Sequence, residues 1–227
     1  MNYMGLLVLL RHGQSIWNKK NIFTGWVDVP LSKEGIDESI DAGEKIANIN
    51  FDIVFTSNLI RAQMTGFIAL SRNKFDKTPV FVSDESDKWR EIYSVDAAKS
   101  IIPVYRSYAL NERYYGELQG KNKDKIKSEV GEEQFKLWRR SYNIAPPGGE
   151  SLEMTVERAI PYFKENIIPH LKNGKNILVA AHGNSLRGIV MFLDKITNEE
   201  IPKLDIPTGV PLFYHQDKVD ALEEKMI

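Results

Sequence analysis

The sequence predicts an α/β protein, a three-layer sandwich around a mainly parallel central sheet. Short apolar runs with branched residues recur along the chain, and amphipathic stretches at helical spacing separate them. Strands alternating with helices are the pattern of that architecture. No repeat or low-complexity linker divides the chain, so residues 1–227 are expected to form a single catalytic domain.

Gly5 to Leu10 is the first apolar run, too short for a helix and bounded by Arg11. Ser32 is a candidate helix cap, and Ile36, Ile40, Gly43 and Ala47 follow at helical spacing, which reads as a crossover helix. Phe51 to Thr56 is the second strand, and Asn58 to Leu70 can form the helix after it. The stretch 72–130 is the least regular and is expected to be an insertion or lid above the carboxyl ends of the strands. After Ser151, Leu152, Val156, Ala159, Phe163 and Ile167 make an apolar stripe, and Pro161 should kink that helix. Lys175 to Ala181 is a third strand, Asn184 to Leu193 resumes a helix, and Val210 to Tyr214 is a weaker fourth strand.

Composition narrows the function. The chain has no cysteine, which removes disulfides, thiolate metal sites and cysteine nucleophiles. Thirty Lys and Arg stand against thirty-one Asp and Glu, a formal charge of −1, so global attraction does not favour nucleic acid. Leu6 to Leu10 is far below the roughly 20 apolar residues of a membrane span and no basic leader precedes it, so a cytoplasmic protein without membrane contact is expected.

Two strand ends carry the chemistry. Arg11-His12-Gly13-Gln14-Ser15 follows the first strand, and Ala181-His182-Gly183-Asn184-Ser185 follows the third and opens a helix. Parallel strands would deliver both histidines to one end of the sheet. A neutral imidazole at His12 can attack phosphorus if its other nitrogen is held. Arg11 and Arg61 can bind equatorial oxygens, protonated His182 would add charge, and the helix after Gly183 offers free amides. Either histidine alone could be a structural residue, but the paired contexts favour the site. A metal is not expected, because arginines and imidazolium repel a divalent ion and no carboxylate cluster stands at ligand spacing.

Five ordered blocks, LLRHGQSIWNKKNIFTGWVDVPLSKEG, SNLIRAQMT, RSYALNERYYGELQGKNK, WRRSYNIAPPGGES and AAHGNSLR, span most of the chain. Together they resemble the histidine phosphatase superfamily, in its 2,3-bisphosphoglycerate-dependent phosphoglycerate mutase branch. The resemblance implies a phosphoglycerate-mutase-like fold and interconversion of 3-phosphoglycerate and 2-phosphoglycerate in glycolysis and gluconeogenesis, with 2,3-bisphosphoglycerate as phosphoryl-donating primer and no required metal. It implies a covalent phosphohistidine at His12 and a phosphate pocket of Arg11, Arg61, His182, Asn18 and the backbone near Gly183 and Asn184. It assigns proton transfer to Glu112, and substrate contacts to Ser15, Thr24, Gly25, Arg113, Tyr115, Lys123, Arg139 and Arg140. A homodimer is implied, with a tetramer as the alternative, and the apolar faces at Val54-Phe55 and Phe67 to Leu70 could serve it or complete the core.

The chemistry gives those types a reason. Phosphoglycerates carry a carboxylate and a phosphate, so cations are needed at the end remote from His12, and the arginine fork suits their oxygens. Phosphate crowding would raise the proton affinity of Glu112 and let it act as an acid. Trp17, Phe23 and Trp26 read as packing residues, and Phe135 with Trp138 as the anchor of a helix. Gln14 stands where the family often has glutamate, and a neutral amide there could alter histidine ionisation. The C-terminus is shorter than in many members, and His215-Gln216-Asp217 onward could supply a shorter cover. Two other readings remain: a phosphatase transferring from His12 to water, and a weakly catalytic binding protein using the anion pocket or an apolar patch at Trp89.

Overall fold

Side-chain alternation along the strands explains the layering. The computed structural model describes residues 4–82 and 94–223. In chain order, β1 (Leu6–Arg11) is followed by the one-turn α1 (Ile16–Lys19), α2 (Lys33–Ile46), β2 (Ile53–Thr56), α3 (Ile60–Leu70), β3 (Thr78–Phe81), α4 (Val95–Lys99) and β4 (Ile101–Arg106). Next come α5 (Lys123–Val130), α6 (Glu132–Arg140), α7 (Leu152–Tyr162), α8 (Ile168–Lys172), β5 (Ile177–Ala181), α9 (Gly183–Asp194), β6 (Pro211–His215) and α10 (Gln216–Glu223). The six strands lie in the order β3-β4-β2-β5-β1-β6. All neighbours are parallel except β1 and β6.

Leu7 and Leu9 join Ile53, Phe55, Ile177 and Val179 on one face of the sheet, where Phe163, Ile167, Leu171, Leu186, Ile189 and Val219 cover them. Val8 and Leu10 join Val54, Leu178, Ile102 and Val104 on the other face, under Ala42, Ile46, Ala69 and Leu70 of α2 and α3. The two-residue period of the strand divides one apolar run between two cores. Each such side chain, once buried, contributes about 1.5–3 kcal/mol over leaving it exposed. Val54 and Phe55 are thus committed to these cores.

The stretch 72–130 is not wholly an insertion, because β3 and β4 belong to the sheet. Val54 is in register with Val104, and Phe81 with Val104 on its other side. Pro79 and Pro103 interrupt the strand pattern in sequence; β3 is an edge, where a missing donor is tolerated. From the described part of the stretch, Glu112, Tyr115 and Lys123 line a cavity together with Arg11 and His12 at the carboxyl end of β1. Trp89 lies outside the described residues.

Ser32 caps α2 as its sequence predicts, its Oγ accepting from Gly35 N–H at 3.1 Å. The buried stripe, however, is Gly35, Ser39, Ala42, Gly43 and Ile46, while Ile40 is exposed. Small residues let α2 approach its neighbours closely, and that outweighs the burial of one isoleucine. Pro161 stays inside α7, and a π-helical turn over Phe163–Ile167 follows it, with Ile168 N–H donating to Phe163 carbonyl. The irregularity falls between Pro161 and Pro169, neither of which has a backbone N–H to give.

Among the described residues, those from His215 to Glu223 do not cover the carboxyl ends of the strands. Because β6 is antiparallel, Pro211 faces Leu10 and His215 faces Leu6. Gln216 then bonds Gly5 through its backbone N–H and accepts Gly5 N–H at 3.0 Å. Residues His215–Glu223 therefore lead away from the end that carries His12, and Val219 and Leu222 of α10 pack in the core.

Candidate active site

Three strand ends and one loop build the site. Arg11 and Ala181 are in register on the adjacent strands β1 and β5, so the next residues, His12 and His182, emerge together, with ring centroids 5.0 Å apart. β2 lies on the other side of β5, and the turn beyond it carries Ser57 and leads into α3 with Arg61. Glu112 comes from the segment after a short 3-10 turn at Tyr108–Leu110.

His12 Nδ1 lies 2.6 Å from Gly13 carbonyl. Donation there fixes the proton on Nδ1 and leaves the Nε2 lone pair free to attack. Burial, then the Arg61 and Arg11 guanidinium charges, push the His12 pKa down to about 3. The nucleophile is therefore neutral across the physiological range.

The donors around it are fixed but incompletely used. Arg61 gives Nη1 to Val27 carbonyl at 3.1 Å and Nη2 to Gly25 carbonyl at 2.7 Å, and Arg11 gives Nη1 to Ile206 carbonyl at 2.5 Å. Around His12, Arg11 Nε, Arg61 Nε, Thr24 Oγ1 and His182 Nδ1 are buried without a partner, as is Arg113 Nε behind the cavity. Each such group costs about 1–3 kcal/mol. Arg11, Arg61 and Thr24 share one cavity, and their unused groups fit an anion that would accept from them. Gly183 and Asn184 add the N-terminus of the twelve-residue α9.

His182 departs from expectation. Burial, then Arg61 and His12, hold its pKa well below the ordinary value, so it is neutral rather than imidazolium. Ser57 Oγ accepts Leu59 N–H at 3.1 Å and lies 2.7 Å from His182 Nε2. When the serine hydroxyl donates to Nε2, the ring proton sits on Nδ1, the atom left without a partner. His182 thus serves as a neutral donor.

Glu112 is a charged group in the free site. Burial raises its pKa, but the backbone N–H of Arg113, the Asn184 amide, and Arg61 and Arg11 more than offset this, and the carboxyl lies below the ordinary range. Its Oε1 accepts from Arg113 N–H at 2.7 Å, Asn184 Nδ2 at 2.7 Å and Asn184 N–H at 3.2 Å. Three donors on one oxygen keep it charged until an anion enters.

Arg11, His12, Asn18, Thr24, Gly25, Arg61, Glu112, Tyr115, Lys123, Arg139, Arg140, Gly183 and Asn184 line one cavity of about 130 Å³. Lys123 opens α5 and faces this cavity, and burial followed by Arg139 lowers its pKa. Phe23 shapes the wall; with Phe135 and Trp138 it forms a small core under the rim. Trp26 does more than pack, since its Nε1–H donates to Glu112 carbonyl.

Three expected site residues do not line the cavity: His182, which lies beside His12, and Ser15 and Arg113, which stand behind residues that do. Ser15 caps α1, its Oγ accepting from Asn18 N–H at 3.1 Å, and its own hydroxyl donates to Asn18 Oδ1. Arg113 is buried, with Nη2 on Tyr115 Oη at 3.1 Å and its guanidinium 4.6 Å from the Tyr115 ring. Neither lines the cavity, and both hold residues that do. Gln14 accepts from Ser32 Oγ at 2.9 Å through its amide oxygen and is likewise not part of the wall.

Sequence reasoning missed Arg187 and Asp205, which join the wall. Arg187 Nη1 donates to Asn184 Oδ1 at 3.0 Å, which turns the Asn184 amide nitrogen toward Glu112. Its place one helical turn after Asn184 was a signal in the sequence. Ser57 offered none, because its partner lies 125 residues away. One atom each from His12, Glu112 and His182 lies within 4.8 Å of the others, a spacing that could hold a metal ion. The arginine charge that depresses both imidazoles opposes a cation there and favours an anion.

The histidine phosphatase superfamily (branch 1) model matches residues 7–92 and 68–210. A 2,3-bisphosphoglycerate-dependent phosphoglycerate mutase of Chlamydia caviae is 54% identical over 213 residues, 93% of each chain. The Chlamydia pneumoniae protein of the same name is 52% identical over 213 residues, again 93% of each. Among solved structures, a mycobacterial glucosyl-3-phosphoglycerate phosphatase superposes with a TM-score of 0.71 at 22% identity, covering 92% of both chains. An α-ribazole phosphatase from Shigella flexneri gives 0.70 at 20% identity, covering 92% of this chain and 89% of that one. These two likenesses are of fold.

Proposed function

The chain belongs to the histidine phosphatase superfamily, and on that premise we propose that its His12 pocket interconverts 3-phosphoglycerate and 2-phosphoglycerate in glycolysis and gluconeogenesis. The observation that carries the site assignment is a neutral His12 Nε2 among buried donors that lack a partner, beside a carboxylate.

2,3-Bisphosphoglycerate supplies the phosphoryl group that primes the site. His12 Nε2 forms a bond to phosphorus as the bond from phosphorus to the substrate oxygen breaks. Arg11, Arg61, Thr24, His182 Nδ1 and the α9 amides take up the charge on the transferring oxygens. Entry of the anion places negative charge beside Glu112 and raises its proton affinity. Glu112 then gives its proton to the departing oxygen and recovers one from the hydroxyl that accepts the phosphoryl group on return. Lys123, Arg139 and Arg140 hold the far end of the ligand, joined by Arg187 on the same wall.

This rim favours a mutase over a phosphatase, since transfer to water needs no retention of a doubly phosphorylated acid. We further propose one catalytic domain, a homodimer in the cytoplasm, and activity without metal. The test follows isomerisation with and without 2,3-bisphosphoglycerate after chelation of divalent metals. Rapid activity only in primed enzyme is expected. Metal dependence would overturn the cofactor assignment, and phosphate release without isomerisation would make the chain a phosphatase.

A further inference from the structure

His12 and His182 directly follow β1 and β5, whereas Glu112 lies several residues beyond β4, in a segment over 111–114 that is neither strand nor helix. A catalytic carboxylate on such a segment needs outside partners to hold its place. Arg158, on α7, supplies them. Its Nη1 donates to the carbonyls of Tyr108, Ala109 and Asn111 at 3.1, 2.9 and 3.1 Å, and its Nη2 to Glu112 carbonyl at 2.9 Å. Its Nε and Nη2 also bind Glu150 Oε1 and Oε2 at 2.8 and 2.9 Å. Glu150 grips the other side of Glu112, where Oε2 accepts Tyr114 N–H at 2.8 Å and Glu150 N–H donates to Tyr114 carbonyl at 2.7 Å. The pair is largely buried, with side chains 12% and 15% exposed, and neither residue lines the cavity.

We propose that Arg158 and Glu150 are positioning residues that hold Glu112 in reach of the departing substrate oxygen. The proposal rests on the reading of Glu112 as the proton donor. A rigid fork bonded to four carbonyls of one segment fixes that segment's path, which a flexible ammonium cannot do. Displacing a catalytic group by about 1 Å can cost roughly 100-fold in rate. That loss should appear only where the leaving oxygen needs a proton. When an alkyl phosphate breaks, the P–O electron pair stays on an alkoxide that Glu112 must protonate, whereas a nitrophenolate departs unaided.

The experiment measures pre-steady-state phosphorylation of His12 in the full chain by 2,3-bisphosphoglycerate and by p-nitrophenyl phosphate. It compares wild type, Arg158→Lys, Glu150→Gln and Glu112→Gln, with thermal melts confirming folding. Both positioning variants should slow roughly 10–100-fold with the alkyl ester, while the aryl ester reacts at the wild-type rate. Equal losses with both donors, or no loss with either, would overturn the proposal. If Glu112→Gln itself shows no difference between the donors, its proton-donor role fails. A wild type that labels His12 but does not isomerise overturns only the mutase reading, because the ratio between donors still tests the positioning.

Discussion

Glu112 carries the sharpest demand at the scale of the residue, since it must hold a proton at one moment and release it at another. Glu112→Gln keeps an oxygen for Arg113 N–H and Asn184 but removes the exchangeable proton. Ligand binding should survive, and single-turnover transfer from phosphorylated His12 should slow roughly 100–10,000-fold. Weakened binding with unimpaired transfer would show that the carboxylate only steadies Arg113. His12→Gln should abolish the acid-labile phosphoryl label and change stability with pH. The unfolded imidazole titrates near 6.5 and the folded one at about 3. The unfolded chain therefore binds the extra proton between these values, and stability present above pH 6.5 is lost as pH falls towards 3. Glu112, also depressed, adds a loss of the same sign below its ordinary value of 4.5. The difference between wild-type and His12→Gln denaturant curves isolates the histidine, and parallel pH profiles would contradict a buried neutral imidazole.

At the scale of the element, the site depends on how closely α2 approaches the turn after β1. A Cβ on Gly13 would lie 2.3 Å from Gly35 carbonyl oxygen, and one on Gly35 would lie 2.0 Å from Gln14 carbonyl oxygen. Neither obstacle is a movable side chain. Gly35→Ala should destabilise the protein by about 1–3 kcal/mol and slow phosphoryl transfer by shifting His12, as read by thermal melts and single-turnover rates. An active variant of wild-type stability would show that the turn can yield. The start of α2 was legible because a serine cap acts locally, through Gly35 N–H. Its buried face was legible only in part: Gly43 and Ala47 are buried as expected, but Gly35, Ser39 and Ala42, which hydrophobic periodicity passes over, complete it in place of Ile40.

At the scale of the whole molecule, the formal charge is −1, yet Arg11, Arg61, Lys123, Arg139, Arg140 and Arg187 converge on one cavity. Anion binding should thus stabilise a fold that otherwise holds these like charges close together. With 2,3-bisphosphoglycerate at 100 times its Kd, stability should rise by about 2.7 kcal/mol, measured as a shift in thermal unfolding. No shift with this ligand would contradict the cavity as its site. Salt should raise KM as the Debye length shortens from about 10 Å at 0.1 M, acting mainly on the more open rim. A KM independent of ionic strength would remove the rim cations from substrate capture. No helix among the described residues is long and apolar enough to cross a membrane.

The sequence by itself determined the alternation of strands and helices, the two histidines at parallel strand ends and the family blocks. These are local patterns or residue strings, readable without knowing what lies opposite. Tertiary structure decided what depends on neighbours distant in the chain. It put β3 and β4 into the sheet despite their prolines, since pairing with a partner strand outweighs a weak local pattern. It sent His215 to the end opposite His12, because the direction of β6 is set by its pairing with β1. It made Ser15 a helix cap, and left His182 neutral and Glu112 charged in the free site. Protonation follows from burial and from charges that only the fold brings together.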